Sequence, residues 1–336
     1  MTAKTTPARR LLGLGGWALV APSAVLAASR GVRHQRHIPV LILEALGPVW
    51  LLPTLAAAGL AAAARRPALG AVAAALAGLR LSWLTPEIRP RPVPADDSDG
   101  TARLRLYSHN VLFTNTHADR VAAEIVTADP DVVVLQEVSP PIVAALRSAG
   151  ILDRYPHQWL DPRTNGLGTA ILSRDPLEDA RQWWCAGQLM AQATVVVDGH
   201  RVTLYDVHTR APTGFGDPAR WATQLGALAE MVAAEPGPLV VAGDFNATSG
   251  HRAFRDLLSA GLADAHVAGG RWWAATWPCD LRPLPSFARL DHILVSPHLD
   301  VLGVWEGRGA GSDHRPVIVD LALPSPVLCA ISNRDG

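Results

Sequence analysis

The chain has 336 residues, long enough for more than one domain, and its 30 basic and 30 acidic side chains cancel. The charge is split along the chain: residues 1–90 carry Lys4 and nine arginines against Glu44 and Glu87, a net +8, and residues 91–336 carry a net −8. An acidic second part lacks the basic surface that nonspecific DNA binding requires. Three cysteines with no CxxC or Cys/His spacing exclude a zinc-finger framework.

The first ninety residues hold three apolar stretches. Residues 11–29 and 45–64 contain no charge, and residues 67–84 contain only Arg80. About 20 apolar residues cross a bilayer, so about three transmembrane helices are expected in a membrane region over residues 1–85. Pro48 and Pro53 are tolerated in a membrane helix, and Trp17, Trp50 and Trp83 suit the interfaces. Competing readings are a cleaved signal peptide after Arg9-Arg10, a soluble buried helix for the third stretch, and a re-entrant hairpin at the prolines of the second. With three crossings the basic residues divide five against six, so charge alone does not orient the protein.

Residues 86–101 are rich in proline and aspartate and read as a linker. After it, strand-like runs at residues 104–110, 132–137, 168–173, 191–197, 201–208, 239–244, 291–295 and 317–321 alternate with helical segments. Asp198-Gly199 is a two-residue hairpin turn. Ser139-Pro140 and Asp217-Pro218 read as helix starts, and a third helix is expected to start at Ser249. Hairpins mixed with βα units predict an α/β protein of two packed mixed sheets with helices outside, over residues 102–323, followed by a tail over 324–336.

Polar residues recur at or just past the ends of these apolar runs. Asn110 follows Tyr-Ser-His, Glu137 closes Val-Leu-Gln-Glu, and His208 closes Tyr-Asp-Val-His. Asp244 and Asn246 lie in Gly-Asp-Phe-Asn, Asp291 in Arg-Leu-Asp-His, and Asp313 and His314 in Ser-Asp-His. Each alone has a bland reading: an exposed acid at a strand end for Glu137, and a turn for Gly-Asp-Phe-Asn. Together, in this order, they resemble the endonuclease/exonuclease/phosphatase superfamily, the DNase I-like enzymes.

The resemblance implies a four-layer α/β sandwich and hydrolysis of a phosphate ester by direct attack of water. It makes Glu137 the main ligand of Mg2+ or Mn2+, with Asn110 assisting through its amide oxygen and Asp313 completing or flanking the site. Asp244 positions or deprotonates the water, or handles leaving-group protons, and Asn246 binds the phosphate or the intermediate. His314 is a general base or a phosphate contact oriented by Asp291, and His208 is a second imidazole that donates to phosphate. His109, Asp206 and His292 are expected to point away from the site. Trp183-Trp184, Trp272-Trp273 and Trp277 read as loop packing or as an aromatic rim, and Arg163 and Asn165 as candidates for a second phosphate.

The layout is similar to the actinobacterial glycopeptide (teicoplanin)-resistance type of membrane phosphatase, with a few N-terminal spans before an extracytoplasmic catalytic domain. That resemblance implies a multi-pass protein of the cell membrane whose partners are the lipid bilayer and a phosphorylated lipid, most of all a polyprenyl pyrophosphate. A tethered or secreted nuclease or phosphodiesterase, a small-molecule phosphoester as substrate, and a non-catalytic binding domain are the alternatives. In the extracytoplasmic setting a Cys185–Cys279 bridge is allowed, against the simpler reading of unbridged thiols.

Overall fold

In the computed structural model, residues 6–30, 37–88, 102–213, 217–271, 273–279, 285–309 and 311–323 are described. Nearly all of the 86–101 segment, the 324–336 tail, Trp272 and Cys329 lie outside the described residues.

The N-terminal part is helical: α1 (Pro7–Ser29), α2 (Ile38–Ala45), α3 (Leu51–Ala64) and α4 (Pro67–Ile88). Small residues let α1, α3 and α4 approach closely, and Val20, Ala57, Ala61, Leu69 and Ala73 are buried where they meet. The second apolar stretch is not one continuous helix. A 3-10 turn at Gly47–Trp50 divides it, and α3, at 14 residues, spans only about 21 Å. Among the described residues two helices, Pro7–Ser29 and Pro67–Thr85, are long and apolar enough to cross a membrane, with mean hydropathy 1.8 and 1.5.

From Arg103 onward the chain folds as a four-layer α/β sandwich. One mixed sheet runs in the order β11-β12-β1-β2-β4-β3. Its strands are β1 (Arg103–Asn110), β2 (Val132–Gln136), β3 (His157–Asp161), β4 (Thr169–Ser173), β11 (Asp300–Glu306) and β12 (Val317–Ala322). The other runs β5-β6-β7-β8-β10-β9. It is built from β5 (Leu177–Cys185), β6 (Gln188–Val197), β7 (His200–His208), β8 (Leu239–Asp244), β9 (Ala263–Asp264) and β10 (Asp291–Val295). Helices α5 (Ala118–Ala128), α6 (Pro140–Ser148) and α7 (Ile151–Arg154) pack outside the first sheet. Outside the second lie α8 (Pro218–Ala234) and α9 (Arg252–Leu258), while α10 (Ala265–Ala268) follows β9 at its edge.

Strand periodicity explains the layers. Residues alternate between faces, and the inner rows Leu104/Leu106, Val132/Val134, Val202/Leu204, Val240/Ala242 and Ile293/Val295 share one core between the sheets. The intervening Tyr107, Val133, Tyr205 and Val241 face the outer helices. The Asp198-Gly199 turn has both residues at positive φ, as a type I′ hairpin needs. Asp217 caps α8 by accepting from Ala219 N at 2.9 Å. The third helix, α9, starts at Arg252, three residues later than Ser249.

Four strands lie outside the runs expected from sequence: β3, β5, β9 and β11, the edge strands of the two sheets. Trp183 and Trp184 accordingly sit in β5 and not in a loop. Trp183 packs edge-on against Tyr205 and Trp184 is exposed. Cys185 and Cys279 are not bridged to each other; their sulfurs face Gln224 O and Arg308 O respectively.

Candidate active site

The inner rows turn polar at one end of the sandwich. Continuing the parity of the core, β1 presents Ser108 and Asn110, β7 presents Asp206 and His208, β8 presents Asp244, and β10 presents Asp291. Register finishes the convergence, because Asp244 pairs with His208 on one side and with Asp291 on the other. Gly243 permits it: a Cβ there would lie 1.9 Å from Val207 O.

Glu137 stands just past β2 with φ 59°, an uncommon backbone for a side chain of this kind. Its carboxylate accepts from Asn110 Nδ2 at 3.0 Å and from Phe113 N at 3.1 Å. Asn110 Nδ2 also reaches Asp244 Oδ2 at 3.1 Å, so one amide joins two carboxylates across the sheets. Asn110 Oδ1 accepts from Leu112 N at 3.1 Å, which differs from the expectation that this oxygen faces a cation. Asp244 and Asn246 meet through a turn and not through strand alternation. Asn246 has φ 47°, its N–H donates to Asp244 Oδ1 at 2.8 Å, and its Nδ2 donates to Asp244 Oδ2 and Thr209 O.

His314 is bound to Asp291, with Nδ1 to Oδ2 at 2.8 Å, and its Nε2 is 3.8 Å from Asp244 Oδ2. The Ser-Asp-His turn is fixed by Ser312, whose hydroxyl donates to Asn110 O at 2.6 Å and accepts from His314 N at 3.0 Å. Burial disfavours a charged imidazole at His314, but Asp291 and Asp244 outweigh it and lift its pKa to about 10. Burial raises the Asp244 carboxyl, against the opposing charge of His314. Burial also acts to raise Asp291, but His314 brings it below the usual carboxylate range. His208 Nε2 lies 3.8 Å from both Glu137 Oε1 and Asp244 Oδ2. Asp313 Oδ2 accepts from Trp277 Nε1 at 3.2 Å.

All eight residues singled out from sequence thus come to one end of the sandwich. The neighbours divide. His109 bridges Tyr107 and the His314 carbonyl, and burial lowers its pKa to about 4. His292 bonds Asp264 and Ala247 O, so both histidines point away from the site. Asp206 does not point away: two residues from His208, it shares the inner face. It lies one layer deeper, bonded to Gln136 at 2.7 Å, and burial raises its pKa to about 7. Arg163 pairs with Asp161, and neither Arg163 nor Asn165 lines the cavity described next.

The cluster opens into a cavity of about 550 Å³. Glu137, His208, Asp244, Asn246, Asp313 and His314 form its polar floor. Its walls are apolar and include Leu41, Ile42, Ala45 and Leu46 from and after α2, and Trp277, Phe287 and Leu290 from the segment before β10. Of these only Trp277 had a signal in the sequence, its place in a tryptophan-rich stretch. The α2 residues had none, because they reach the site through packing.

A divalent cation fits the floor. Magnesium and manganese favour hard oxygen donors, and Glu137, Asp244 and Asp313 supply them with no arginine ion-paired to them among the described residues. Asp244, Asp291 and His314 also bring ligand atoms within 4.8 Å of one another. In that trio, however, His314 Nδ1 and Asp291 are already committed to each other.

The sandwich is shared with solved structures at low identity. An endonuclease/exonuclease/phosphatase from Bacteroides vulgatus is similar over 66% of this chain and 99% of its own, at 20% identity and TM-score 0.55. Truncated Caenorhabditis elegans TDP2 is similar over 66% and 98%, at 19% identity and TM-score 0.54. Humanized D. rerio TDP2 is similar over 65% and 98%, at 20% identity and TM-score 0.56. No curated protein matches the sequence. The model of the Endonuclease/Exonuclease/phosphatase family matches residues 107–314, from β1 to the Ser-Asp-His turn. The chain therefore belongs to that family of hydrolases acting on phosphoester bonds with a divalent metal ion.

Proposed function

We propose that this protein is a membrane-anchored, Mg2+- or Mn2+-dependent phosphoesterase that hydrolyses a lipid pyrophosphate or phosphate, with a polyprenyl pyrophosphate as the foremost candidate. The observation that carries the reading is the cavity. Its floor suits a phosphoryl group and a cation, while its walls are apolar and come partly from the segment between two helices able to cross a membrane. The net −8 of residues 91–336 argues against DNA, whose binding depends on cationic contacts.

Glu137 is the principal candidate to hold the metal, with Asp313 beside it; a bound cation supplies positive charge to the phosphoryl oxygens. Asp244, held by Asn110 and Asn246, accepts the proton of the attacking water. His314, oriented by Asp291, and His208 donate hydrogen bonds to phosphoryl oxygens and stabilise their developing charge. A bond from the water oxygen to phosphorus forms and the bond to the leaving oxygen breaks. An imidazolium proton goes to the leaving oxygen. The catalytic domain is taken to face outward, which protease treatment of intact cells tests: a domain cut before lysis agrees, and one protected until lysis contradicts.

The substrate is tested by placing the full chain in phospholipid vesicles and comparing phosphate release from polyprenyl pyrophosphate with nicking of plasmid DNA, with and without chelator. Chelator-sensitive phosphate release that outpaces nicking is expected. Faster nicking would make the nuclease alternative the better reading.

A further inference from the structure

The N-terminal helices do more than tether the catalytic domain. We propose that α2 is a wall of the active site and seats the hydrocarbon chain of a phosphorylated lipid, with Ile42, Ala45 and Leu46 as its selecting residues. This rests on the reading of the cavity floor as a phosphoester site.

Three observations support the seat. First, α2 is built into the catalytic domain. Leu41 is 1% exposed and lies in the same outer core as Trp221, Phe245 and Phe254. The backbone is tied down too: His251 Nε2 meets Leu41 O at 3.0 Å, and Thr248 Oγ1 meets Glu44 O at 3.5 Å. Gly250 completes the socket, since a Cβ there would lie 2.0 Å from Glu44 O. Thr248, Gly250 and His251 follow Asn246 directly in the chain, so the loop that holds Asp244 also holds α2.

Second, with Leu41 anchored, the neighbouring Ile42, Ala45 and Leu46 border the cavity shared with Glu137, Asp244 and His314. Ile42 is 47% exposed there. An exposed isoleucine beside a catalytic floor gains nothing from water and suits an apolar ligand. Third, α2 lies between α1 and α3, so the wall is continuous in sequence with the apolar helices. A lipid whose phosphate rests on the floor would find its chain directed along α2 toward the bilayer.

The test measures binding and turnover separately, using the full chain in nanodiscs with empty nanodiscs as the blank. Octylphosphonate and methylphosphonate share a headgroup that water cannot hydrolyse and differ in chain length. Calorimetry should find octylphosphonate binding at least tenfold tighter to the wild type, since each buried methylene adds to affinity. Ile42→Asp should remove that preference by placing a charge in the wall. Ala45→Leu, which keeps the surface apolar and fills the space, should weaken octylphosphonate selectively and covers the case where the charged variant fails to fold. Val126→Asp, an exposed position on α5 away from the cavity, should keep the preference. Equal affinities in the wild type, or a preference that survives both α2 substitutions, would overturn the proposal. Phosphate release from a short-chain pyrophosphate reports the phosphoesterase reading independently. Chain-length-selective binding without any turnover would sink that reading and leave the seat standing.

Discussion

Asp291→Asn isolates the orienting carboxylate with little change in volume. In the wild type Asp291 Oδ2 sits 2.8 Å from His314 Nδ1 in a buried setting, and the two groups stabilise each other's charge. A hydrogen bond to a charged group contributes roughly 1.5–3 kcal/mol. At about 1.4 kcal/mol per tenfold, loss of that bond in the transition state lowers kcat by roughly 10- to 150-fold. KM should change little, because His208 and the metal still hold the phosphate. The sign with pH follows from the same contact. Asp291 and Asp244 together raise the imidazole pKa to about 10, Asp291 contributing most, so wild-type His314 stays protonated above neutrality. The variant loses that support, and its activity should fall at a lower pH than that of the wild type. The assay is phosphate release at saturating substrate from pH 6 to pH 10, with circular dichroism to verify folding. A kcat within about twofold of wild type, on an unshifted profile, would refute the orienting role.

Glu137→Gln should weaken Mg2+ and Mn2+ binding measured by calorimetry, and excess metal should partly restore turnover; unchanged affinity with the fold intact would remove Glu137 from the metal role. Glu306→Gln addresses stability away from the site. Burial opposes the Glu306 charge, but His266 at 3.0 Å and Arg271 at 2.7 Å lower its pKa from 4.5 to about 2. A depressed carboxyl pKa gives stability that is present above pH 4.5 and lost as pH falls toward 2, here on the order of 3 kcal/mol. The variant should therefore be less stable at pH 7 and lose less on acidification, which urea unfolding at pH 7 and pH 3 measures; an equal loss in both proteins contradicts it. Gly250→Ala should dislodge α2, read as faster hydrogen exchange over residues 38–46, because its Cβ would overlap Glu44 O; unchanged protection would mean that the socket gives way cheaply.

The central strands were legible because each carries an apolar run on its inner row. Their polar ends were legible for the same reason, since Asn110, His208, Asp244 and Asp291 share the parity of the core residues in their own strands. The strands not visible in sequence, β3, β5, β9 and β11, are all edges. An edge strand is flanked on one side only and carries polar side chains that discourage pairing, as in Glu178-Asp179 and Arg181-Gln182 of β5. Asp206 faces inward, against expectation, because its spacing of two from His208 along β7 puts both on one face. Packing between distant segments left no trace of its own: nothing in the run from Ile38 to Leu46 distinguishes a membrane stretch from a helix that closes a catalytic cavity. Asn110 shows the same limit on a smaller scale. Its position was readable, but which amide atom faces the carboxylates depends on the turn at Leu112.

The most direct test of the account is a single turnover in water enriched in oxygen-18, with the full chain in vesicles, a polyprenyl pyrophosphate and Mg2+. Direct attack of water on the terminal phosphorus predicts one labelled oxygen in each released phosphate, no label in the prenyl product, and no release from His314→Ala on the same timescale. Label in a prenyl alcohol, or no phosphate released by the wild type, would contradict it.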